Sequence, residues 1–238
     1  MDRLETVRAD LPFHLDGTQL KLIALITMVI DHIGAFFCPH FLLLRYIGRI
    51  SFPIYCYLLT EGAKYTHDMK KYLLRLGLFA LISEIPFNLV RSGSLLDPSG
   101  QNVFFTLFIG MGMIYLIEHP VFNDGLPDMV YILIIIACAA GLAEFANTDY
   151  GFTGIAIIFV FYVFRDKGGY GMIMAAICFS LLNIGYGYYQ WMAIFALIPI
   201  ALYDGRRGRQ SRLMQYGFYA FYPAHMLIGY LIGMVLGL

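Results

Sequence analysis

Charge is scarce in this 238-residue chain: Asp, Glu, Lys and Arg make up 13% of it, where a soluble domain carries about a quarter. That scarcity argues against a water-facing surface and points to lipid as the solvent. Lys+Arg and Asp+Glu number 16 each. Net charge is therefore zero, and no basic surplus is available for nucleic acid. Cysteine is sparse as well. Cys38, Cys56, Cys138 and Cys178 are scattered through apolar stretches without metal-ligand or disulfide spacing. Cys38 and His40 flank Pro39, but two ligands do not make a metal centre, so all four cysteines read as packing residues and no metal is expected. There is no low-complexity tract, no phosphate-cradling Gly-rich loop and no serine nucleophile elbow. The first nineteen residues lack an apolar core and a small-residue cleavage site, unlike a cleaved signal peptide. Leu4, Val7 and Leu11 there have the spacing of a short interfacial helix.

What the chain does have is apolar length: 60% of its residues are hydrophobic. They fall into about nine segments, roughly 20–37, 41–60, 71–90, 102–118, 128–146, 151–165, 169–187, 189–203 and 216–237. Most are long enough to cross a bilayer as a helix. The sixth and eighth are short, and fit a smaller tilt or a thinned bilayer. Pro39, Pro98, Pro120, Pro127, Asn147–Gly151 and Asp204–Gly208 punctuate the connections. The expected fold is all-α, a polytopic membrane bundle of about nine helices. Residues 1–19 form a cytoplasmic arm, and 20–238 a single transmembrane domain.

The distribution of Lys and Arg orients this bundle. With the N-terminus in the cytoplasm, the inward loops hold Lys64, Lys70, Lys71, Arg165, Lys167, Arg206, Arg207, Arg209 and Arg212, and the arm adds Arg3 and Arg8. The outward loops hold Arg91 alone, as the positive-inside rule requires. The inward loop between Glu118 and Asp128 carries neither Lys nor Arg. The two halves share no motif, which weakens a transporter built from inverted repeats.

The first segment, LKLIALITMVIDHIGAFF, orders the rest. Ten residues separate Lys21 from His32. Eleven helical steps make almost three turns, so both lie on one face about 16 Å apart. Asp31 is about 100° from His32 on such a helix. It reads as a packing partner as readily as a catalyst. Further polar groups lie inside later segments, where each charge costs about 2.5–3.5 kcal/mol on insertion scales. Arg45 and Arg49, Glu84 and Asn88, and Asn102 and Thr106 are each one turn apart. His32, Arg45, Arg49, Glu84, Asn88 and Asn102 fall in the outer half of the bilayer, Glu144 and Asp149 fall nearer the outer face, and His225 lies deeper. One reading is structural, with Glu84 neutralising one arginine and Asp31 the other. The other is a site, with a base, cations and neutral amides at one level. Tyr186, Tyr188, Tyr189 and Trp191 fit an interfacial aromatic belt, and Gly110 and Gly112 fit close helix packing.

The stretches LDGTQLKLIALITMVIDHIGAFF, RYIGRISFPIYCYLLTEG, YLLRLGLFALISEIPFNL, QNVFFTLFIG, DYGFTGI and FYAFYPAHM, which run from Leu15 to Met226, resemble the TraX family of membrane proteins like the F-pilin acetylation protein. The DH pair, the GRxxFP block and the SEIPFN block carry the resemblance most specifically. It implies an integral membrane N-acetyltransferase that uses acetyl-CoA. The Lys-x10-His spacing also resembles the first-helix motif of acyltransferase-3 type enzymes, where a basic residue and a distal histidine serve donor binding and catalysis; Arg45-x3-Arg49 loosely echoes their second basic motif.

The expected reaction moves an acetyl group from cytoplasmic acetyl-CoA to an amine, on a peptide N-terminus or a small molecule, in the bacterial cytoplasmic membrane. His32 is the expected general base, with Asp31, Glu84, Asn88 and Asn102 as further catalytic candidates. Lys21, Arg45, Arg49, Lys70, Lys71 and Arg75 are the candidates for binding the CoA thioester. Membrane lipid is the surrounding partner. Two other chemistries stay open: O-acylation of an extracytoplasmic or lipid-linked glycan, and carriage of a small anion without catalysis. A scaffold subunit held by its ion network is a third reading.

Overall fold

The computed structural model describes residues 14–121, 125, 127–182, 188–209 and 211–237. Among them every expected apolar segment is helical, and no strand is present apart from two isolated bridges. The interfacial helix expected around Leu4 to Leu11, and Tyr186 of the aromatic belt, lie outside the described residues.

The helices are α1 Gly17–Phe36, α2 Leu42–Gly48, α3 Ser51–Tyr65, α4 Met69–Ser92, α5 Val103–Glu118, α6 Asp128–Phe145, α7 Gly151–Phe164, α8 Gly168–Leu182, a 3₁₀ helix Tyr188–Ala196, α9 Leu197–Ala201 and α10 Arg212–Leu236. Two expected segments are subdivided. The second is split between α2 and α3, where Ser51 and Pro53 open a new helix; proline is tolerated in a first turn because its missing N–H has no partner there. The eighth begins as a 3₁₀ helix and becomes α-helical only at Leu197.

Among the described residues, five stretches are long and apolar enough to cross a membrane: Gly17–Phe36, Leu42–Tyr65, Met69–Ser92, Asp128–Phe145 and Leu213–Leu236. Four apolar helices are shorter: Val103–Glu118, Gly151–Phe164, Tyr170–Leu182 and Gln190–Ala201. Large apolar side chains face outward, among them Leu74, Leu81, Leu133, Leu181 and Phe145, the last 88% exposed. In water such a surface would aggregate. In lipid it is the expected one.

The chain forms two compact units. The first comprises Met1–Leu58, Val160–Tyr216 and Val235–Leu238. Here α1 packs on α2, and the 3₁₀ helix touches α2, α8 and α9. Its core holds Leu20, Ala24, Ile54, Phe179 and Ile200, with Tyr57 meeting Phe161 and Tyr203 edge-on. The second comprises Leu59–Phe159 and Gly217–Met234. Here α5 packs between α4 and α6. Gly110 faces Ile158 so closely that a β-carbon would collide with it, which explains half of the Gly110-Met111-Gly112 run.

Capping residues mark where the helices begin. Asp16 caps α1, accepting from Thr18 N and Gln19 N, while Gln19 Oε1 accepts from Asp16 N in a full capping box. Asp68 caps α4 through Lys71 N. Gly93, at φ 68°, closes α4 in the left-handed conformation that glycine adopts without strain.

Candidate functional site

Polar side chains gather at three places, two in the first unit and one in the second. The first surrounds the start of α1. Residues 204–209 lie against it through backbone bonds, Gly17 N to Arg206 O at 2.8 Å and Asp204 N to Leu15 O at 3.0 Å, and Thr18 Oγ1 donates to Arg209 O. Gly208, at φ 73°, allows this approach: a β-carbon there would sit 2.6 Å from Asp16 Oδ1. The turn brings the exposed Arg207 within electrostatic reach of Lys21. Arg206 is held by Asp204 at 2.6 Å. Against the cost of partial burial, the hydrogen bonds and charge of Arg206 keep the Asp204 carboxyl below the usual carboxylate range.

The second place is the end of α1. Asp31, buried, takes both arginines of α2 and the turn after it. Arg45 Nη1 donates to Asp31 Oδ2 at 2.7 Å and to its backbone oxygen at 3.1 Å. Arg49 Nη2 spans both carboxylate oxygens at 2.6 and 2.7 Å, and its Nη1 donates to Gln190 Oε1 in the 3₁₀ helix. Gly48 makes the approach possible, since a β-carbon on it would overlap the Asp31 side chain. Gly34 does the same for Leu44, 2.8 Å from where its β-carbon would stand. Ser51 Oγ donates to Ala24 O at 2.7 Å, tying α3 to α1. The DH pair and the GRxxFP block are thus two halves of one clamp. His32, half-buried, stacks on Phe36 one turn along.

The third place is built from SEIPFN, QN and DYGFTGI. Asn102 caps α5, accepting from Phe104 N, and its Nδ2 donates to Glu84 Oε2 at 2.6 Å and Ala80 O at 2.8 Å. Gln101 pairs with the turn after α6 through Gln101 N to Asn147 O and Asp149 N to Gln101 O. Thr106 Oγ1 meets Thr148 Oγ1 and Asp149 O. Asn147 and Tyr150 take positive φ to make this turn. Glu144 Oε2 accepts from Phe152 N, which uses it as a structural carboxylate.

The expected site residues are therefore sorted as follows. Asp31 joins Arg45 and Arg49, and the partner of Glu84 is Asn102 rather than an arginine. Both N–H groups of Asn102 are engaged, which leaves none to hold an oxyanion. Asn88 is buried beside Glu84, its side chain within reach of that carboxylate, and its Nδ2 lies 3.5 Å from Leu95 O. Lys71 pairs with Asp68, Arg75 lies over the Tyr72 ring, and Lys70 is exposed. His225 Nδ1 lies 2.9 Å from Phe221 O, and its ring stacks on Phe221, as a core histidine does. The sequence reads Arg207, within the Arg206–Arg212 cluster, chiefly as a topology signal that could also attract phosphates, and passes over Gly48, Gln190 and Ser83. Arg207 stood in the basic loop and Ser83 in the SEIPFN block; nothing in the sequence marks Gln190.

Helices of this length and apolar surface, with ionic and amide clusters buried among them, define a multi-pass helical membrane protein. The model of the TraX protein family matches residues 16–233, and the chain belongs to the TraX family. It is 25% identical over 238 residues to the "Probable fimbrial assembly protein FimC, serogroup H1" of Dichelobacter nodosus, covering 88% of this chain and 92% of that one. It is 27% identical over 151 residues to an uncharacterized protein of Rickettsia prowazekii (strain Madrid E), covering 62% of this chain and 55% of that one. No solved structure matches the chain.

Proposed function

We propose that this protein is an acetyltransferase of the bacterial cytoplasmic membrane, N-terminus in the cytoplasm, that moves an acetyl group from acetyl-CoA to an amine. What supports the reading is the way α1 is held at both ends. The start is capped by Asp16 and wrapped by residues 204–209, and the far end is locked in rotation by Asp31. The Lys21–His32 stripe runs between these ties, about 16 Å long. A helix that merely anchors a protein in lipid needs neither tie.

Lys21, with Arg207 and Arg209 from the loop beside it, binds the CoA phosphates in this reading, helped by the positive end of the helix dipole. Lys71 and Arg75 already have partners in Asp68 and Tyr72, so the phosphate role passes to the 204–209 loop. The acceptor nitrogen attacks the thioester carbonyl, the C–S bond breaks, and CoA leaves as thiolate. His32 takes the proton from the nitrogen and returns it to the sulfur. An α-amino group, with a pKa near 8, is within reach of an imidazole base. The arginines clamped on Asp31, the residue before His32, supply the sign of charge that an oxyanion needs. All nine apolar segments cross the membrane in this reading, the four shorter ones where the bilayer thins. The name of the Dichelobacter relative favours a peptide N-terminus as acceptor, since fimbriae are protein fibres.

The test is made on purified protein in detergent. CoA raises the unfolding temperature, and Lys21→Ala needs more CoA for the same rise. His32→Ala binds CoA almost normally but releases CoA thiol from acetyl-CoA and an amine about 10²–10⁴-fold more slowly. Protein that neither binds CoA nor releases thiol ends the reading. Release with hydroxyl acceptors alone would make it an O-acyltransferase.

A further inference from the structure

The clamp at the end of α1 sets two guanidinium groups against one carboxylate. Arg49 Nη2 reaches both oxygens of Asp31, and Arg45 Nη1 reaches Oδ2. Arg49 goes on to Gln190 through Nη1. Arg45 is served less well. Its bonds, to Asp31 Oδ2 and Asp31 O, both leave from Nη1. Among the described residues Asp31 is the one acid it pairs with. The N–H of Nε and the N–H groups of Nη2 are therefore left without a partner among the described residues.

Those donors form the side edge of the guanidinium plane. Its Nε–H and one Nη2–H run parallel, a fork that takes two oxygens of one anion. The edge is open. The Arg45 side chain is 27% exposed, against 10% for Arg49, and neither Nε nor Nη2 of Arg45 is among the buried polar atoms. Gly34 lets the stem of Arg45 lie on α1, since a β-carbon there would stand 3.4 Å from Arg45 Cδ. Two bonds at Nη1 hold the group in place, so the edge is set before a ligand arrives. Leu42, one turn before Arg45 on the same face of α2, is exposed, and so is Phe41 ahead of it.

We propose that the Nε–Nη2 edge of Arg45 binds a phosphate group. In bulk water, solvent would satisfy such an edge. Arg45 instead lies just inside Leu42–Tyr65, a stretch fit to cross a membrane, where surplus positive charge is costly until an anion meets it. A phosphate diester brings one negative charge, which balances the second guanidinium. It also brings two free oxygens, which match the fork. Phospholipid headgroups supply this group at the end of a membrane helix, and Leu42 and Phe41 offer contact to the apolar part of such a molecule. Dissolved phosphate is the other source. A phosphate there takes up the charge of Arg45, and what the acetyltransferase reading asks of the clamp falls to Arg49. The binding itself needs no acetyl transfer.

Thermal unfolding of the full chain, stripped of lipid in an uncharged detergent, tests this. The probes are dioleoylphosphatidylglycerol, dioleoylglycerol, which has the same tails without the phosphate, and inorganic phosphate. Phosphatidylglycerol raises the unfolding temperature saturably, and dioleoylglycerol does not. Arg45→Lys keeps the charge and a donor for Asp31 but loses the fork. It weakens binding by about tenfold or more, the worth of one hydrogen bond to a charged group. Leu42→Glu leaves the clamp untouched and sets a carboxylate beside the open edge, so it weakens binding even where Arg45→Lys does not fold. Native mass spectrometry reads the same loss as lipid retained per chain, apart from any change in stability. If inorganic phosphate alone gives the rise and strips the lipid, the site stands with dissolved phosphate as its occupant. An equal rise with dioleoylglycerol, no response to either phosphate compound, or undiminished binding by Arg45→Lys or Leu42→Glu would overturn the proposal.

Discussion

Asp31 carries two guanidinium groups at once, and it is 12% exposed at its side chain. Asp31→Asn would leave two arginines without their anion, and breaking a buried pair by removing one partner costs about 3–5 kcal/mol. The expected outcome is a large fall in unfolding temperature. Glu84→Gln should lower it less in the same detergent, because its bonded partner Asn102 is neutral and a glutamine oxygen can still accept from it. Gly48→Ala should also destabilise, by about 1–3 kcal/mol for overpacking, since its new methyl would overlap Asp31 Cβ as well as the carboxylate; Asp31→Ala in the same chain should not relieve it, because alanine keeps that Cβ. The sequence showed two acids and two arginines without showing who pairs with whom. The answer lies in Gly48, whose missing side chain lets the Asp31 carboxylate come between both arginines. Pairing depends on such close approaches, which periodicity does not report.

At the scale of the element, hydropathy was enough to find each apolar segment, because lipid demands apolar length wherever a helix crosses. It did not report the break between α2 and α3, since Arg49 and Ile50 lie within one apolar run. Ser51 and Pro53 were legible there as helix-opening residues. Asn102 was legible too, as a capping residue ahead of VFFT, once the helix is taken to start at Val103 instead. The segment after α4 gives a pH prediction. The hydroxyl and N–H of Ser99, with the charge of Arg91, hold the Asp97 carboxyl below the usual carboxylate range. A depressed folded value means the tie is fully present above the unfolded pKa, near 3.9, and is lost as pH falls through the folded one. Proteolysis of the 94–100 segment should therefore be flat from pH 8 to about 5 and accelerate only below about pH 4. In Asp97→Asn it should be faster at neutral pH and show no such acid step.

Across the whole molecule, the arrangement of Lys and Arg predicts that residues 204–209 face the cytoplasm and residues 92–100 the opposite side. Single cysteines in a cysteine-free chain, labelled from one side at a time, would show it. Labelling of both loops from the same side would break the count of nine crossings. The family blocks were legible in the sequence, but their grouping was not. His32, Arg45, Arg49, Glu84, Asn88 and Asn102 read as one level of polar groups. The structure shows a clamp of DH and GRxxFP in the first unit, and an amide–carboxylate cluster of SEIPFN, QN and DYGFTGI in the second. Depth along a helix is a one-dimensional quantity, and partner choice is not.

The strap across the start of α1 has a consequence for how the protein is made. Thr18 and Arg209, which it joins, are 191 residues apart in the chain. At about 5–20 residues per second, a ribosome needs on the order of 10–40 s to travel between them. For all that time α1 waits with its N-terminal N–H groups and Lys21 without this cover. A nascent chain stalled before residue 204 should therefore be the form that membrane quality-control proteases recognise, and one stalled after residue 209 the first that escapes them.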